Sequence, residues 1–384
     1  MEKKKRRFCE LKGCKSLNYN PISTQNLNQL LICKCCKGTF CSEECIIEHS
    51  ILKEKEKTLQ GNSSLSLFIK PGRIVSELNM ISNKYFNFEN FEKVKLNNNR
   101  PKILGTGAFG EVYLVKNKID GKLFAMKQMD KTRIHSVGIK PEVIYREISI
   151  HISLIHDHIA RLFSYHEDNK AFYLIIEYVE NGTLFSVIQK NKGLTEDDAF
   201  KYFIQVASAL NFLHDNNLIH RDLKPENCLI DKEGNVKLCD FGWTVDTLHG
   251  ERATFCGTYE YMAPEIIKEK PYSKSIDVWS LGVLLYELIH SYSPFRLNMN
   301  QMAKQEQADP SLEVLKNILK HQYSIEKDIS EDCKDLLKQL LNPKNEERIP
   351  IGKIFTHSWV KKYENRIKDS LQFNEKTIKN QHIE

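Results

Sequence analysis

The pattern of apolar and polar positions predicts two buried helices and several strands. In residues 195–213, apolar side chains recur at helical spacing after Thr195, which has the character of a helix N-cap with acidic residues in the first turn. Residues 278–289 are apolar nearly all round, which predicts a central buried helix that is too short to cross a membrane. Alternating apolar runs around residues 104–112 predict a strand, a turn and a strand, and residues 172–178 predict a buried strand.

Length and charge indicate an enzyme with more than one domain. The chain has 384 residues, of which 41% are apolar, so it can fill a core larger than that of one typical domain. We therefore expect a two-lobed enzyme with a small appendage. The net charge of +6 comes almost entirely from residues 1–15, where seven Lys and Arg residues oppose two Glu residues. Such a run is typical of a solvated tail, and an import signal or a contact with an anionic surface are the alternatives.

Targeting signals for a membrane or for secretion are not expected. No apolar run approaches the roughly 18 residues of a membrane span, and no apolar signal core follows the basic start. We expect a soluble intracellular protein, in the cytoplasm, the nucleus or both, without a membrane partner.

Eleven cysteines, seven of them within residues 9–45, predict a metal site near the N-terminus. Thiolates paired at short spacing with a nearby histidine suit tetrahedral Zn²⁺ in a reducing compartment. The segment also has too few apolar residues to form a core without metal. The predicted ligands are Cys9, Cys14, Cys33, Cys36, Cys41, Cys45 and His49. Free thiols in a flexible tail are the alternative.

The stretch from Cys33 to His49 resembles the second half of HIT-type and MYND-type zinc fingers. The resemblance implies interleaved ligands, with Cys9, Cys14, Cys41 and Cys45 around one zinc and Cys33, Cys36 and His49 around another. Lys53 stands where those families have a last cysteine, so Cys35 or water completes the second site, or only one zinc binds. Both families imply a protein-interaction module, and we expect a protein activator or scaffold to bind through this finger or through the small N-terminal lobe of the protein. Direct nucleic-acid binding is not expected, because the segment has no platform of aromatic and basic residues.

Residues 104–112 have the glycine pattern of a loop that closes over phosphates. Gly105, Gly107 and Gly110 lack a Cβ atom that would intrude between the backbone and a phosphate. The same pattern could form a dinucleotide-binding turn, but that turn requires a helix directly after it, and residues 111–115 predict a strand.

Two charged residues downstream of this loop are predicted to pair. Lys127 lies in a predicted strand among apolar neighbours, and a half-buried lysine there needs an anionic partner. Residues 141–155 predict a helix that offers Glu147 as the carboxylate that aims Lys127. The connector from Glu177 to Gly182 has backbone groups that can bind an adenine edge.

The stretch around Asp222, followed by Asp240, contains the groups that phosphoryl transfer needs. Catalysis of this transfer depends on positioning and on neutralising phosphate charge. We expect Asp222 to accept the proton of the attacking hydroxyl and Lys224 to balance the γ-phosphate. Asn227 and Asp240 offer oxygen ligands of the kind that Mg²⁺ prefers.

Together these motifs resemble the eukaryotic protein kinases. The matching positions are Gly105, Gly107, Gly110, Val112, Ala125, Lys127, Glu147, His220, Asp222, Lys224, Asn227, Asp240, Gly242, Ala263, Pro264, Glu265, Asp277 and Arg348. The resemblance implies an α+β, bilobal protein kinase fold with a small β-rich lobe and a large helical lobe, preceded by the zinc-finger-like module. The expected domains are the basic N-terminus and finger at 1–53, a linker at 54–99, the kinase domain at 100–362 with its lobes at 100–178 and 183–362, and a polar tail at 363–384.

The resemblance also assigns residues to ATP. Those expected to contact it are Gly105, Gly107, Gly110, Val112, Ala125, Lys127, Glu177, Val179, Glu226, Asn227, Leu229 and Asp240. Leu229 matches the floor beneath the adenine. Glu265 and Arg348 match a buried ion pair of the large lobe, whose role is structural.

Several positions resemble the serine/threonine kinases, and among them the Aurora kinases. Residues 224–227 and 257–258 have the serine/threonine form of their motifs, and Trp243 with residues 252–258 has the Aurora form. An Aurora-like role would extend the expected location to the spindle or centrosome. Residues 296–312 are longer and more polar than the corresponding Aurora segment.

Thr254 is the candidate activating phosphosite of this resemblance. Its phosphate is expected to bridge Arg221 and Arg146, which would order the loop and fix the helix that carries Glu147. The alternative is a loop that orders without phosphate.

Glu226 resembles the acidic residue with which basic-directed kinases hold a substrate arginine. We therefore expect protein substrates with Arg two or three residues before the target Ser or Thr.

Two alternatives stay open at this stage. A kinase of the cyclic-nucleotide-dependent type shares residues 257–265, although no hydrophobic tail motif of that group follows residue 363. A catalytically inactive scaffold that displays the zinc finger is the second alternative, and the intact catalytic residues named above count against it.

Overall fold

The computed structural model describes residues 86–242, 244–246, 259–297 and 309–364. These residues form two compact units. The first consists of the described residues up to Ile155 together with Leu162–Glu177, and the second consists of His156–Arg161 together with the described residues from Tyr178 onward. The first unit is rich in strands and the second in helices, as the predicted bilobal α+β fold requires.

Some predicted sites lie outside the described residues. These are the zinc ligands Cys9, Cys14, Cys33, Cys36, Cys41, Cys45 and His49, the phosphosite Thr254, and residues 298–308 of the polar segment at 296–312. Their assignments stay predictions.

The first unit is built on a six-stranded antiparallel sheet. Its strands are β1 (Phe91–Lys93), β2 (Ile103–Gly107), β3 (Gly110–Asn117), β4 (Leu123–Asp130), β5 (Leu162–Glu167) and β6 (Ala171–Glu177). Their order is β1-β3-β4-β6-β5, and β2 also pairs with β3. β1 lies within the range predicted as a linker, so the sheet extends further toward the N-terminus than residue 100.

One face of this sheet packs against helices. Because successive residues of a strand point to opposite faces, Phe172 of β6 lies on one face and Tyr173 on the other. Helices α1 (Lys131–Ser136) and α2 (Pro141–Ile152) pack on the face of Phe172, where Ile148 of α2 is fully buried.

The other face of the sheet carries aromatic rings. Phe86, Phe124 and Phe163 contact one another with ring centroids 5.4 to 5.8 Å apart. Two of these three contacts are edge-to-face, an arrangement that the charge distribution of aromatic rings favours. The cluster holds the chain that precedes β1 against the sheet.

The second unit is mainly helical. Its described helices are α3 (Leu184–Asn191), α4 (Glu196–Asp215), α5 (Pro264–Ile267), α6 (Ser275–His290), α7 (Pro310–Leu319), α8 (Glu331–Leu340) and α9 (Ile351–Ile354), and residues 358–364 are also helical. Its short strands are β7 (Leu218–Ile219), β8 (Cys228–Ile230), β9 (Val236–Leu238) and β10 (Val245–Asp246). β7 pairs with β10, and β8 pairs with β9.

Both helices predicted from periodicity are confirmed. α4 begins after Thr195, whose hydroxyl accepts a hydrogen bond from the backbone N–H of Asp198 at 3.2 Å. α6 is buried along nearly its whole length and forms the centre of the unit. None of the helices in the described ranges combines the length and apolarity that a membrane crossing needs.

The ion pair predicted between Glu265 and Arg348 is confirmed. The guanidinium donates to the two carboxylate oxygens at 2.8 and 3.1 Å, and both side chains are buried. It also donates to the backbone carbonyls of Ser275 and Asn342. The buried charges are therefore both paired and hydrogen-bonded, which is the condition under which burial of charge is tolerated.

Candidate active site

The three glycines of the loop between β2 and β3 have different surroundings, so the reason for glycine differs from one position to the next. A Cβ atom on Gly110 would lie 1.9 Å from the backbone oxygen of Gln128 on β4, so the sheet itself excludes a side chain there. A Cβ atom on Gly105 would meet no atom of the described chain within 4 Å, and one on Gly107 would come no nearer than 3.9 Å to the Gly110 oxygen. Packing therefore explains Gly110, whereas Gly105 and Gly107 border open space in which a ligand can approach the backbone.

The register of the sheet groups three predicted ATP contacts. Val112 of β3 pairs with Lys127 of β4, so their side chains share a face. Ala125 lies two residues before Lys127 and therefore points to the same face. All three side chains are half-buried, which leaves part of each open to a ligand.

The structure brings Lys127 and Glu147 together. Lys127 Nζ lies 3.3 Å from Glu147 Oε1, and the Glu147 side chain, on α2, is 8% exposed. The carboxylate is therefore largely removed from water, while the 25% exposed lysine reaches the surface of the sheet. In this geometry the Glu147 carboxylate orients the Lys127 ammonium group, which can also bind a second anion, that of a ligand.

Asp222 lies in a buried loop between β7 and β8, and two neighbouring side chains hold its carboxylate. Lys224 Nζ is 3.0 Å from Asp222 Oδ2, and Asn227 Nδ2 donates to the same oxygen at 2.8 Å. Asn227 Nδ2 also donates to the backbone oxygen of Asp222 at 2.8 Å. A carboxylate restrained in this way can present its other lone pairs in a fixed direction.

Asp277, at the start of α6, fixes the backbone of this loop. Its Oδ2 and Oδ1 atoms accept hydrogen bonds from the backbone N–H groups of His220 and Arg221, both at 2.9 Å. His214 Nε2 lies 2.9 Å from Oδ2. Burial by itself would raise the pKa of Asp277, but the hydrogen bond and charge of His214 and the other donors outweigh it, and the pKa is lowered. No pattern in the sequence indicated that His214 helps to lower the pKa of Asp277.

Asp240 follows β9 and comes directly after Cys239, which pairs with Asn227. The backbone N–H of Cys239 donates to the backbone oxygen of Asn227 at 2.9 Å, which extends the β8–β9 ladder to these residues. Asp240 has a φ of 62°, in the left-handed region that aspartate tolerates better than most residues.

The donor chemistry of Asn227 and Asp240 fits Mg²⁺. Both side-chain hydrogen bonds of Asn227 to the described residues are made through Nδ2, so its Oδ1 is left for a cation. An amide oxygen and a carboxylate are the hard ligands that this ion prefers.

Two further predicted ATP contacts, Glu177 and Val179, lie on either side of Tyr178, and a third, Leu229, lies on β8. Glu177 is the last residue of β6, and Val179 is buried. Leu229 of β8 is half-buried and forms a β-bridge with Thr183. Their convergence on one nucleotide stays a prediction.

The two arginines predicted to bind the Thr254 phosphate are found on different elements. Arg146 precedes Glu147 on α2. Arg221 has a φ of 69°, and its guanidinium donates to the Tyr272 hydroxyl at 2.7 Å. Tyr272 is 51 residues further along the chain, and no local sequence pattern indicated this contact.

Carboxylates gather around Glu226, the residue predicted to hold a substrate arginine. Glu226 is exposed. Burial raises the pKa of Glu287 to about 7, against a hydrogen bond from the Tyr261 hydroxyl, and the charges of Glu226 and Glu260 add to the rise. Burial, followed by the charge of Glu226, also raises the pKa of Glu260. A cation bound among these groups would relieve their mutual repulsion.

Comparison with known proteins identifies the same fold and family. The protein kinase domain family matches residues 99–360. An Aurora kinase of Dictyostelium discoideum is 38% identical over 68% of this chain and 65% of its own length. An Aurora kinase of Schizosaccharomyces pombe is 37% identical over 68% of this chain and 71% of its own length. Aurora kinase C of Mus musculus is 34% identical over 74% of this chain and 96% of its own length.

The matches cover most of this chain and a varying share of each relative. The chain spans just under two thirds of the length of the Dictyostelium relative. The family match at residues 99–360 includes residues of both compact units. The similarity to Aurora kinases favours the Aurora-like interpretation over the cyclic-nucleotide-dependent alternative. The chain therefore belongs to the protein kinase family, and the relatives that it resembles within that family are Aurora kinases.

Proposed function

We propose that this chain is an Aurora-like serine/threonine protein kinase that transfers the γ-phosphate of ATP to Ser and Thr hydroxyls of protein substrates. The observation that carries the proposal is the buried Asp222 carboxylate, held by Lys224 and Asn227 on a loop whose backbone is bound by Asp277. These contacts preorganise a proton acceptor and a cation beside it, which is what phosphoryl transfer requires of a protein.

In the second unit, Asp222 orients the substrate hydroxyl and accepts its proton. The hydroxyl oxygen bonds to the γ-phosphorus, the bond from that phosphorus to the β–γ bridging oxygen breaks, and ADP leaves. Lys224, 3.0 Å from Asp222 Oδ2, balances the negative charge of the transferred group. Asn227 and Asp240 would hold Mg²⁺, which when bound would neutralise phosphate charge. Leu229 and Val179 supply apolar contacts to the adenine.

In the first unit, Lys127 binds phosphate oxygens of ATP, and Glu147 keeps its ammonium group in place. The backbone of Gly105 and Gly107 approaches the phosphates, since no side chain of the described residues occupies the space beside these glycines. Val112 and Ala125 contact the adenine on the half-buried sheet face, and the backbone of Glu177 binds the adenine edge.

Protein substrates with an arginine shortly before the target residue fit the second unit. The exposed carboxylate of Glu226 and its electrostatic coupling to Glu260 and Glu287 favour a guanidinium at this position.

Regulation and recruitment complete the proposal. Phosphorylation of Thr254 activates the enzyme through Arg221 and Arg146. The cysteine-rich segment at 1–53 binds structural Zn²⁺ and recruits an activator or scaffold, and such recruitment would direct the enzyme to its intracellular location, including the spindle or centrosome.

The test is transfer of labelled γ-phosphate by the full chain to a peptide with Arg two residues before Ser. We expect wild-type transfer, a loss of about 10²- to 10⁴-fold in Asp222→Asn from removal of the base, and a strong reduction in Thr254→Ala. Asp215→Asn, which changes an exposed carboxylate at the end of α4, is the matched control and should retain activity.

Two further arms examine specificity. Replacing the peptide arginine by alanine should lower the transfer rate, and Glu226→Gln should reduce that preference about fivefold or more, as loss of a charge-assisted contact predicts. A preference for acidic or proline-containing peptides would remove the arginine proposal. A wild-type chain as inert as Asp222→Asn, even with Thr254 phosphorylated, would favour the scaffold alternative.

A further inference from the structure

Three polar side chains of the first unit form a network on the sheet face that packs against α2. The Tyr145 hydroxyl, on α2, donates to Glu167 Oε1 and Oε2 at 3.1 and 3.0 Å. Lys131, the first residue of α1, donates from Nζ to the same carboxylate at 2.6 Å. Glu167 is the last residue of β5. The network therefore links two helices to one strand.

The partners of Glu167 also rest on one buried ring, that of Phe172 in β6. The Tyr145 ring meets it edge-to-face with centroids 5.6 Å apart, and Lys131 Nζ lies 4.9 Å from its centroid. Burial and the hydrogen bond to Glu167 raise the pKa of Tyr145 to about 12. The hydroxyl thus remains a proton donor at any pH at which the protein would work. Edge-to-face and cation–π contacts add attraction to the hydrogen bonds.

One end of the network lies on the helix that carries Glu147, and the other lies directly after the strand that carries Lys127. Tyr145 and Glu147 are two residues apart on α2. β4, which contains Lys127, ends at Asp130, and Asp130 caps α1 by accepting hydrogen bonds from the backbone N–H groups of Thr132 and Arg133. Lys131 is therefore held next to the end of the strand that positions Lys127.

The spacing of Tyr145 and Glu147 determines how one can affect the other. Residues two apart on a helix are separated by about 200° around its axis, so the two side chains do not touch through the helix surface. Contacts on two different sides of a helix restrain its rotation about its own axis. Loss of the Tyr145 contact would let α2 turn, and such a turn would move Glu147 away from its 3.3 Å contact with Lys127.

We propose that Tyr145, Glu167 and Lys131 form a positioning network that sets the rotation of α2 and thereby keeps Glu147 beside Lys127. The inference rests on the proposed function for its effect on activity, because the Lys127–Glu147 pair is assigned there to the phosphates of ATP. The network lies wholly within the first unit, so it orders α2 independently of a phosphate on Thr254.

The primary test is Tyr145→Phe in the full chain, which removes the hydroxyl and keeps the ring on Phe172. From the loss of one half-buried hydrogen bond to a charged group, we expect kcat/KM for ATP to fall about three- to tenfold and amide hydrogen exchange of α2 to quicken by a similar factor.

The matched control is Tyr173→Phe. Its hydroxyl donates to Asp168 Oδ2 at 3.0 Å, a bond of the same chemistry in the same unit, but Tyr173 packs on the opposite face of the sheet. It should leave both kcat/KM and the exchange of α2 unchanged. An equal effect of both variants would reduce the role of Tyr145 to general stability and overturn the proposal.

A second test asks whether Tyr145 acts through Glu147. In a Glu147→Gln background, Tyr145→Phe should cause little further loss of kcat/KM, because the contact that it protects is already weakened. Independent, multiplicative losses would contradict a positioning role. Glu167→Ala, which removes the contacts of both Tyr145 and Lys131, should quicken the exchange of α2 at least as much as Tyr145→Phe, and the double variant should exchange no faster than Glu167→Ala.

The exchange measurement requires no catalysis and so separates this inference from the proposed function. If the wild-type chain transfers no phosphate, the proposed function fails, yet faster exchange of α2 in Tyr145→Phe would still support the network. If wild type is active and the exchange of α2 in Tyr145→Phe is unchanged, the network is refuted while the kinase assignment stands.

Discussion

Single carboxylates of this protein acquire different properties from what surrounds them. Asp277 is buried, yet donors from His214, His220 and Arg221 keep its pKa low and make it an anion that binds the catalytic loop. Glu287, ten residues later on the same helix, has one hydrogen bond from Tyr261 and acidic neighbours, and its pKa rises to about 7. The number of donors, rather than burial alone, decides which of the two keeps its proton.

The raised pKa of Glu287 predicts a pH dependence of stability. In the unfolded chain this carboxyl titrates near its ordinary 4.5, and in the folded chain near 7. Between these values the folded state binds more protons, so the free energy of unfolding should fall as the pH rises from about 5 to above 7, by about 2 to 3 kcal/mol from this residue. Glu287→Gln should remove that contribution.

Urea unfolding at pH 5 and at pH 8 measures this effect. We expect Glu287→Gln to gain stability relative to wild type at pH 8 and to gain much less at pH 5. Glu233→Gln, at an exposed glutamate that forms an ion pair with the also exposed Lys232, is the control and should follow wild type at both pH values. If the free energy of unfolding differs between pH 5 and pH 8 as much in Glu287→Gln as in wild type, groups other than Glu287 cause the difference.

At the scale of elements, close approach of α6 and α8 organises the second unit. A Cβ atom on Gly282 of α6 would lie 2.8 Å from Leu340 Cβ and 2.9 Å from Leu341 Cδ2. Both leucines are fully buried, so neither has room to move aside. Glycine is thus required here by packing between helices, although it is a poor helix former.

Gly282→Ala should therefore destabilise the protein by about 1 to 3 kcal/mol, because the cost of overpacking exceeds the gain of up to about 1 kcal/mol in helix propensity. The midpoint of urea unfolding measures the change. Gly352→Ala in α9 isolates the propensity term, since its Cβ atom would meet only Asn211 Oδ1, at 3.8 Å. We expect that control to be neutral or stabilising. An unchanged midpoint in Gly282→Ala would mean that α8 can shift to accept a methyl group.

At the scale of the whole molecule, the chain joins a kinase domain to a segment of different chemistry. The family match covers residues 99–360, whereas seven of the eleven cysteines precede residue 46. The second unit also contains Cys228, Cys239 and Cys333. If the N-terminal cysteines bind metal, the full chain should contain zinc that the kinase domain does not account for.

The zinc content of the purified full chain tests this prediction. Metal analysis should find one zinc per chain if one site forms, or two if Cys35 or water completes the second. Cys41→Ser, which removes a ligand of the proposed first site, should lower the content by about one zinc per chain, because tetrahedral sites depend on all four ligands. Cys239→Ser should leave it unchanged. A metal-free wild-type chain would support free thiols in this segment.

The sequence by itself determined those features that depend on short spacing or regular period. Asp222, Lys224 and Asn227 fall within six residues, so a single loop brings them into contact, and their chemistry could be inferred from their types. The helices α4 and α6 follow directly from their apolar periods. The pairing of Lys127 with Glu147 was also accessible, because a charge among apolar neighbours demands a partner.

Only the tertiary structure decided the contacts that join distant segments. β1 pairs with β3 although it lies within the range 54–99 that the sequence assigned to a linker, and Glu167 accepts a hydrogen bond from Tyr145, 22 residues away. Asp277 reaches the loop of Arg221 across 56 residues. The pKa of Glu287 likewise depends on burial by elements far along the chain. Local propensity carries no record of these partners, because hydrogen bonds and desolvation arise only when packing has brought the segments together.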